Sequence, residues 1–212
     1  MQAQLHKRTV SILCSLTLMI VSLSCSKSSK VEPESVIAAE YELKDLRYFM
    51  ESGDGIDTVI VKLNGISVQN PGDRILPQTF EDNYESLMKT SQFEIADQQA
   101  LPKGADLAKF NVRVPESWSK DGSYQYFSKQ FPLVSNPQEQ PYGFYKKETF
   151  DIKIPPKSRL VLDRKIEAYH LNCSFSAVLQ NKNTGETFPL TGKWKGISHY
   201  NNSWAELTEF PL

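Results

Sequence analysis

The stretch Tyr169-His-Leu-Asn-Cys-Ser-Phe-Ser-Ala-Val-Leu179 decides the fold class of this chain. Every second side chain in it is apolar or aromatic, and the residues between them are mostly polar. A period of two predicts a β-strand with one dry and one wet face. The loop Asn181-Lys-Asn-Thr-Gly-Glu186 follows, with Gly185 available for a positive φ, and indicates a hairpin. We expect the return strand to place three large residues on the dry face: Phe188, Leu190 and Trp194.

The same alternation continues upstream of this hairpin. Residues 150–154 alternate apolar and polar until Pro155-Pro156 ends the strand, because neither ring nitrogen donates to a ladder. Further strands are predicted at 57–63, 109–115 and 123–131. The predicted fold class is therefore mainly β, an elongated antiparallel sheet or sandwich.

One helix is predicted, at residues 35–52. Its apolar residues fall at alternating spacings of three and four, the period of one helix face: Val36, Ala39, Leu43, Leu46 and Met50. Ser35 is a suitable N-cap, and Gly53 and Gly55 mark the end. We expect the apolar stripe to dock on the sheet of a single β-rich domain at 34–212.

The first residues predict an export signal. Lys7 and Arg8 precede an uncharged, mostly apolar run that ends at Leu23. This run is shorter than the roughly 20 residues that a membrane-spanning helix needs. The alternatives are an ordinary cleaved signal and a lipoprotein signal, and the residues that follow favour the second.

The end of the run, Val21-Ser-Leu-Ser-Cys25, resembles a lipobox because a small residue stands directly before the cysteine. We expect residues 1–24 to be a lipoprotein signal peptide. Cys25 should carry the lipid, with palmitate among its acyl chains. The polar, small residues at 25–33 are typical of a flexible tether. By resemblance to bacterial sorting rules, Ser26 indicates the outer membrane or the cell surface.

Composition excludes several classes of partner. Cleavage before Cys25 removes Lys7 and Arg8 and leaves 22 basic and 25 acidic side chains, a formal charge of −3. A chain with this balance has no basic footprint for nucleic acid. Cys173 is then the only unmodified cysteine, so neither an internal disulfide nor a thiolate metal cage is expected.

No catalytic constellation, metal site or cofactor site is predicted. The sequence has no His-Glu-x-x-His, no glycine-rich phosphate loop and no Gly-x-Ser-x-Gly. His170 and Cys173 are three apart on a strand, so their side chains point to opposite faces. We expect Cys173 to be a small buried hydrophobe. A non-enzymatic protein is therefore predicted. A glycan-processing enzyme is the weakest alternative: carboxylates are so numerous that some pair will lie close together in any fold, so such a pair is poor evidence for a glycosidase.

Aromatic side chains favour binding. Seven rings are candidate stacking platforms for a glycan or a protein ligand: Tyr124, Tyr126, Tyr142, Tyr145, His199, Tyr200 and Trp204. The competing interpretation is that most of these rings pack the sheet.

From about Gln78 to Gly196 the chain resembles the epsilon-toxin and mosquitocidal-toxin family of aerolysin-like pore-forming proteins. The match is carried by Glu148-Thr-Phe-Asp-Ile-Lys-Ile-Pro-Pro-Lys-Ser-Arg-Leu-Val-Leu162, by Phe175–Leu179 and by Leu190–Trp194. A looser match covers 108–131, where the family carries its membrane-inserting hairpin. The resemblance implies a β protein that forms homo-oligomers on membranes.

The pore interpretation meets a length limit in this sequence. A transmembrane β-strand needs roughly 9–11 alternating residues. The first arm of 108–131 offers Phe110, Val112 and Val114 on one side over about eight residues. We therefore expect a toxin-like scaffold that acts by binding or assembly, with Phe110, Val112, Val114, Tyr124 and Tyr126 as membrane or ligand contacts. An active pore-forming toxin that inserts 108–131 is the alternative.

Overall fold

The computed structural model describes residues 39–82, 84–143 and 147–212. Cys25, Tyr145, the predicted signal peptide, the predicted tether and the first residues of the predicted helix lie outside these ranges. The described ranges contain eleven strands: β1 Tyr41–Phe49, β2 Gly55–Lys62, β3 Ile66–Asn70, β4 Leu76–Asp82, β5 Met88–Ile95, β6 Asn111–Trp118, β7 Tyr124–Pro132, β8 Gln138–Pro141, β9 Glu148–Ile154, β10 Ser158–Asn181 and β11 Thr187–Pro211. A 3-10 helix spans Leu107–Lys109.

A long antiparallel hairpin forms the centre, as predicted. β10 pairs with β11 around the turn at 182–186, where Gly185 has a φ of 77°. Cys173 lies opposite Trp194, and Leu179 lies opposite Phe188, so the predicted dry faces meet. β1, β2 and β3 pair in turn along the other edge of β10, and β5 and then β8 extend the sheet beyond β11. The mainly β, antiparallel prediction is confirmed.

The helix predicted at 35–52 is wrong, because residues 41–49 form β1. A β-bulge interrupts the pairing of β1 with β10 between Lys44 and Arg47, and Asp45 has a φ of 53°. The bulge adds one residue to the alternation, so Leu43 and Leu46 both pack against the core although they are three apart. Normal alternation then leads from Leu46 to Met50, which produces a helix-like spacing in a strand.

The buried face of β10 changes halfway along the strand. From Ser158 to Ala168 the even-numbered residues are buried, and from Leu171 to Asn181 the odd-numbered ones are. The register with β2 is continuous from Lys165 to Asn172, so the strand itself does not rotate by a residue. Because neighbouring residues point to opposite faces, the two halves of β10 bury opposite sides.

Two smaller antiparallel pairs, β4–β9 and β6–β7, complete the fold. The β6–β7 hairpin packs its apolar side on the half of β10 that follows Leu171, where it shares a core with Cys173, Phe175 and Trp194. Gly192 lets β5 approach β11 closely: a Cβ there would lie 2.0 Å from the Glu94 carbonyl oxygen. These packed hairpins place β6 beside β1 and create the site described next.

Candidate functional site

An open groove lies between β1 and the start of β6. It encloses about 560 Å³ and is lined by 41–43 and Leu46 of β1, by 109–113, and by Gln130 and Lys182. A second cavity of about 280 Å³ shares four of these residues: Tyr41, Lys109, Phe110 and Lys182. We call this region the β1–β6 groove. Volumes of this order are typical of sites for small organic ligands.

Aromatic rings and aliphatic side chains form the apolar part of the groove. Tyr41 is half-buried, with its ring edge-on to Phe188 at 6.3 Å between centroids. Phe110 is also half-buried and packs against the main core together with Leu43 and Leu46. Rings held in this way keep part of their surface available for a ligand without a large loss of side-chain entropy.

Cationic and amide groups form the polar part of the groove. Arg113 is exposed, and its guanidinium has no hydrogen bond or ion pair with any described residue. Lys109 lies 3.9 Å from Asp106, and Lys182 lies 3.6 Å from Glu40, both long contacts between exposed groups. Such surface pairs contribute little stability, so these ammonium groups can turn to a ligand.

The structure separates the five predicted contact residues. Phe110 and Val112 line the β1–β6 groove, whereas Val114 is 0% exposed beneath it. Tyr124 and Tyr126 lie near the other end of the hairpin, each with its ring 6.1 Å from that of Tyr48. Tyr126 is 43% exposed, and burial raises the pKa of Tyr124. These residues therefore do not form one contact surface in this conformation.

Lys89 of β5 is 0% exposed, although no described carboxylate lies within ion-pairing distance of it. Its Nζ donates to the carbonyl oxygens of Pro115 at 2.6 Å and Ser198 at 2.8 Å. The same atom lies 5.2 Å from the ring centre of Phe127 and 5.7 Å from that of Trp194. Burial lowers the pKa of Lys89 to about 7. This lysine joins β6, β7 and β11 through dipoles and ring faces.

Lys193 of β11 has the opposite surroundings. Its Nζ lies 2.7 Å from Asp54 Oδ1, 3.2 Å from Glu51 Oε2 and 2.6 Å from Ser174 Oγ. Its hydrogen bond to Asp54 raises the pKa of Lys193. A serine beside a lysine resembles a nucleophile with its base, but a base must be able to lose its proton near neutral pH. Here the two carboxylates keep the ammonium charged.

The same network satisfies the carboxylates of the β1–β2 turn. Burial alone would raise the pKa of Asp54, but hydrogen bonds from Lys193, the Glu51 N–H and the Ser174 hydroxyl lower it overall. The Ser174 hydroxyl donates to Glu51 at 2.7 Å, which lowers the pKa of that carboxyl group. The arrangement attaches the turn to β10 and β11.

Cys173 is 0% exposed, which confirms its predicted burial. Burial raises the pKa of its thiol to about 12, so the nucleophilic thiolate is scarce at neutral pH. His170 is exposed on the strand, and its side chain points to the opposite face. Among the described residues there is no group of three or more His, Cys, Asp or Glu side chains that could hold a metal ion. Within the same ranges, no helix has the length and apolar character to cross a membrane.

Sequence reasoning did not identify Tyr41, Arg113 or Lys89. Tyr41 and Arg113 are far apart in the chain and belong to one groove only because β1 and β6 lie side by side. Lys89 occupies a position in a run where every second residue is buried, at Leu87, Lys89, Ser91 and Phe93. A lysine at a position where the alternation predicts a buried side chain is a signal in the sequence that points to a buried lysine.

Comparisons with known proteins complete the description. No protein-family model matches the chain, and no curated protein sequence matches it. Among solved structures, it is similar to a lamprey immune protein, with 17% identity, a TM-score of 0.45, and coverage of 82% of this chain and 54% of that one. It thus spans about half the length of the lamprey protein.

Two further similar structures are toxin-like by name. Parasporin-2, a Bacillus thuringiensis toxin that recognizes cancer cells, has 12% identity and a TM-score of 0.47, with 82% of this chain and 76% of that chain covered. An aerolysin-like protein from Bombina maxima has 13% identity and a TM-score of 0.31, with 82% and 99% covered. At these identities and scores the likenesses identify neither a family nor an activity.

Proposed function

We propose that this chain is a lipid-anchored, non-enzymatic binding module on an aerolysin-like β scaffold, and that the β1–β6 groove receives its glycan or protein ligand. The observation that carries the proposal is the groove itself. It combines half-buried rings at Tyr41 and Phe110 with the unpaired guanidinium of Arg113. Fixed apolar surface beside polar groups without partners is the usual composition of a ligand site.

The other clusters of polar side chains do not favour catalysis. The Cys173 thiol is buried, and the ammonium of Lys193 is held in its charged form by Asp54 and Glu51. The toxin-like part of the proposal rests on the sequence resemblance over 78–196.

The groove is tested by binding to an array of printed glycans and extracellular proteins. We expect Tyr41→Ala to remove the signals that the wild-type chain gives, because it deletes one ring of the groove. Tyr126→Ala is the matched control, since it deletes an exposed tyrosine outside the groove. Equal loss in both variants, or loss only with Tyr126→Ala, would place the ligand elsewhere.

The anchor is tested separately at Cys25. Cys25→Ala should yield an unlipidated chain that no longer fractionates with membranes, and the mass of the wild-type N-terminus should include a lipid. Unchanged fractionation, with no lipid mass on the wild-type chain, would contradict the lipoprotein assignment.

Pore formation is the second candidate, and one observation favours it. The β6–β7 hairpin holds Val112, Val114, Phe127 and Phe131 on one buried side, an apolar face that a released hairpin would offer to lipid. Dye release from liposomes by the wild-type chain, abolished by Val112→Lys at an unchanged melting temperature, would support it. We expect Val112→Lys to unfold the domain instead, because the site is 7% exposed and an unpaired charge there is strongly disfavoured.

A further inference from the structure

The cationic side chains of the β1–β6 groove differ in whether they have an acidic partner. Three cationic side chains line the groove: Lys109, Arg113 and Lys182. Two of them have an acid nearby, since Lys109 lies 3.9 Å from Asp106 and Lys182 lies 3.6 Å from Glu40. Arg113 is the cation of the groove that has no acidic partner among the described residues, and such a group favours an anionic ligand.

Glu42, which also lines the groove, is not a partner of Arg113. Glu42 is paired with Lys44, with its Oε1 2.6 Å from Nζ. Arg113 therefore faces the groove without a described acidic partner. Its planar guanidinium can bind a carboxylate or a sulfate through two parallel hydrogen bonds, which a lysine ammonium cannot do.

The neutral groups of the groove indicate what carries the negative charge. Asn111 and Gln130 contribute amides, which both donate and accept hydrogen bonds, as the hydroxyl groups of a sugar require. Tyr41 and Phe110 provide ring surface on which the apolar face of a sugar can stack. A lipid tail would need a longer, drier surface than two rings and two leucines provide.

An extended peptide that pairs with the edge of β1 is less well matched. The bulge between Lys44 and Arg47 breaks the ladder of that strand, and its charged residues are typical of edges that avoid pairing. Ligand contacts in this groove therefore depend on side chains.

We propose that the β1–β6 groove binds an acidic oligosaccharide, with a carboxylate or sulfate group on Arg113 and a sugar ring against Tyr41 and Phe110. This inference rests on the proposed binding function and specifies its ligand class. Lys109 and Lys182, whose contacts with Asp106 and Glu40 are long and exposed, can turn to further acidic groups of the oligosaccharide.

Calorimetry on the purified full-length chain tests the inference. The probes are a heparin hexasaccharide, which is sulfated, a hexamer of galacturonic acid, which is carboxylated, and maltohexaose as the neutral probe of equal length. We expect at least one acidic probe to bind, the neutral one to bind at least tenfold more weakly, and affinity to fall as salt rises.

Two variants identify the responsible group. Arg113→Gln should weaken the acidic probe about tenfold or more, since it removes a bidentate charged contact. Arg74→Gln makes the same charge change at an exposed site outside the groove and should leave the affinity within about twofold. Unchanged melting temperatures show that the variants are folded.

Two results would overturn the inference. If maltohexaose binds as tightly as the acidic probes and is sensitive to Tyr41→Ala but not to Arg113→Gln, the groove binds sugars without selecting for charge. The proposed binding function would then stand while the acidic ligand is wrong. Binding of none of the three probes overturns the saccharide assignment, and the array result with Tyr41→Ala then shows whether the groove binds a protein.

Discussion

Two lysines on neighbouring strands attach adjoining parts of the molecule to the central sheet in opposite ways. Lys193 of β11 attaches the β1–β2 turn through two carboxylates and a serine. Lys89 of β5 attaches the β6–β7 hairpin through two carbonyl oxygens and two rings, and no described carboxylate pairs with it.

The difference separates a fixed attachment from a titratable one. Acidic partners raise the pKa of Lys193, so its charge persists across the neutral range. Burial without an acid lowers the pKa of Lys89 to about 7, so the charge of this lysine changes near neutrality. The electrostatics of the β6–β7 hairpin attachment therefore respond to mild changes in pH, whereas those of the β1–β2 turn attachment do not.

Truncation of the two lysines should give the largest contrast. Lys89→Ala leaves a cavity and two buried carbonyl oxygens without their donor, and should lower the free energy of unfolding by about 2–5 kcal/mol. Lys193→Ala should cost less than Lys89→Ala, since the Lys193 side chain is 35% exposed and the buried Asp54 carboxylate keeps the Ser174 N–H and hydroxyl as donors. Denaturant unfolding measures both, and equal losses would refute the contrast.

The pH dependence of stability should show a smaller difference. Above pH 7 the folded chain loses the Lys89 proton, while the unfolded chain keeps it up to a pKa of about 10.4. The unfolded state then binds more protons, so the free energy of unfolding rises with pH, by at most about 1.4 kcal/mol per pH unit. Below pH 7 both states are protonated and this contribution is constant.

Lys89→Met isolates that slope between pH 7.5 and 8.5. It keeps most of the side-chain volume and removes the titrating group, so the rise should disappear. Lys193→Met should preserve the rise, because a raised pKa keeps Lys193 charged in both states over this interval. A slope that survives Lys89→Met would assign the pH dependence to another group.

An effect smaller than that of Lys89→Ala is expected at Ser174. Ser174→Ala removes the hydroxyl that donates to Glu51 and Asp54, and should cost about 1 kcal/mol. The pKa values of Glu51 and Asp54 are lower in the folded state than in the unfolded state. Their ionised carboxylates therefore stabilise the fold when the pH is above the unfolded pKa, and this stability is lost as the pH falls through the folded pKa. Acid unfolding should therefore start at a higher pH in the variant, as followed by circular dichroism. Ser176→Ala on the same strand should leave the acid midpoint unchanged.

The sequence predicts the centre of this fold well, because the pairing of β10 with β11 is local. The turn at 182–186 and the alternation on both sides of it predict which residues of β10 and β11 lie opposite each other near the turn, and the structure shows this pairing. The same reasoning fails at β1, where the bulge near Asp45 converts a strand into a helix-like spacing of apolar residues. Nothing in residues 41–49 alone distinguishes a bulged strand from a helix.

The β1–β6 groove could not be predicted from the sequence, for a different reason. Phe110 and Val112 were identified from their alternation, but Tyr41 joins them only through the packing of hairpin on sheet. Arg113 is an ordinary polar residue of an alternating strand until its lack of an acidic partner is visible in three dimensions. Local patterns predict strands, whereas a site between strands requires their arrangement.

The change of buried face in β10 has a consequence for the accuracy of folding. A strand that slips by one residue against its partners turns its apolar side chains to the wrong face. Because Ile166 and Ala168 are buried on one side and Leu171 and Cys173 on the other, one slip would expose apolar residues on both surfaces at once. A misregistered pairing therefore exposes apolar area on both faces of the sheet, so the change of buried face at the midpoint of β10 favours the native register of the whole hairpin.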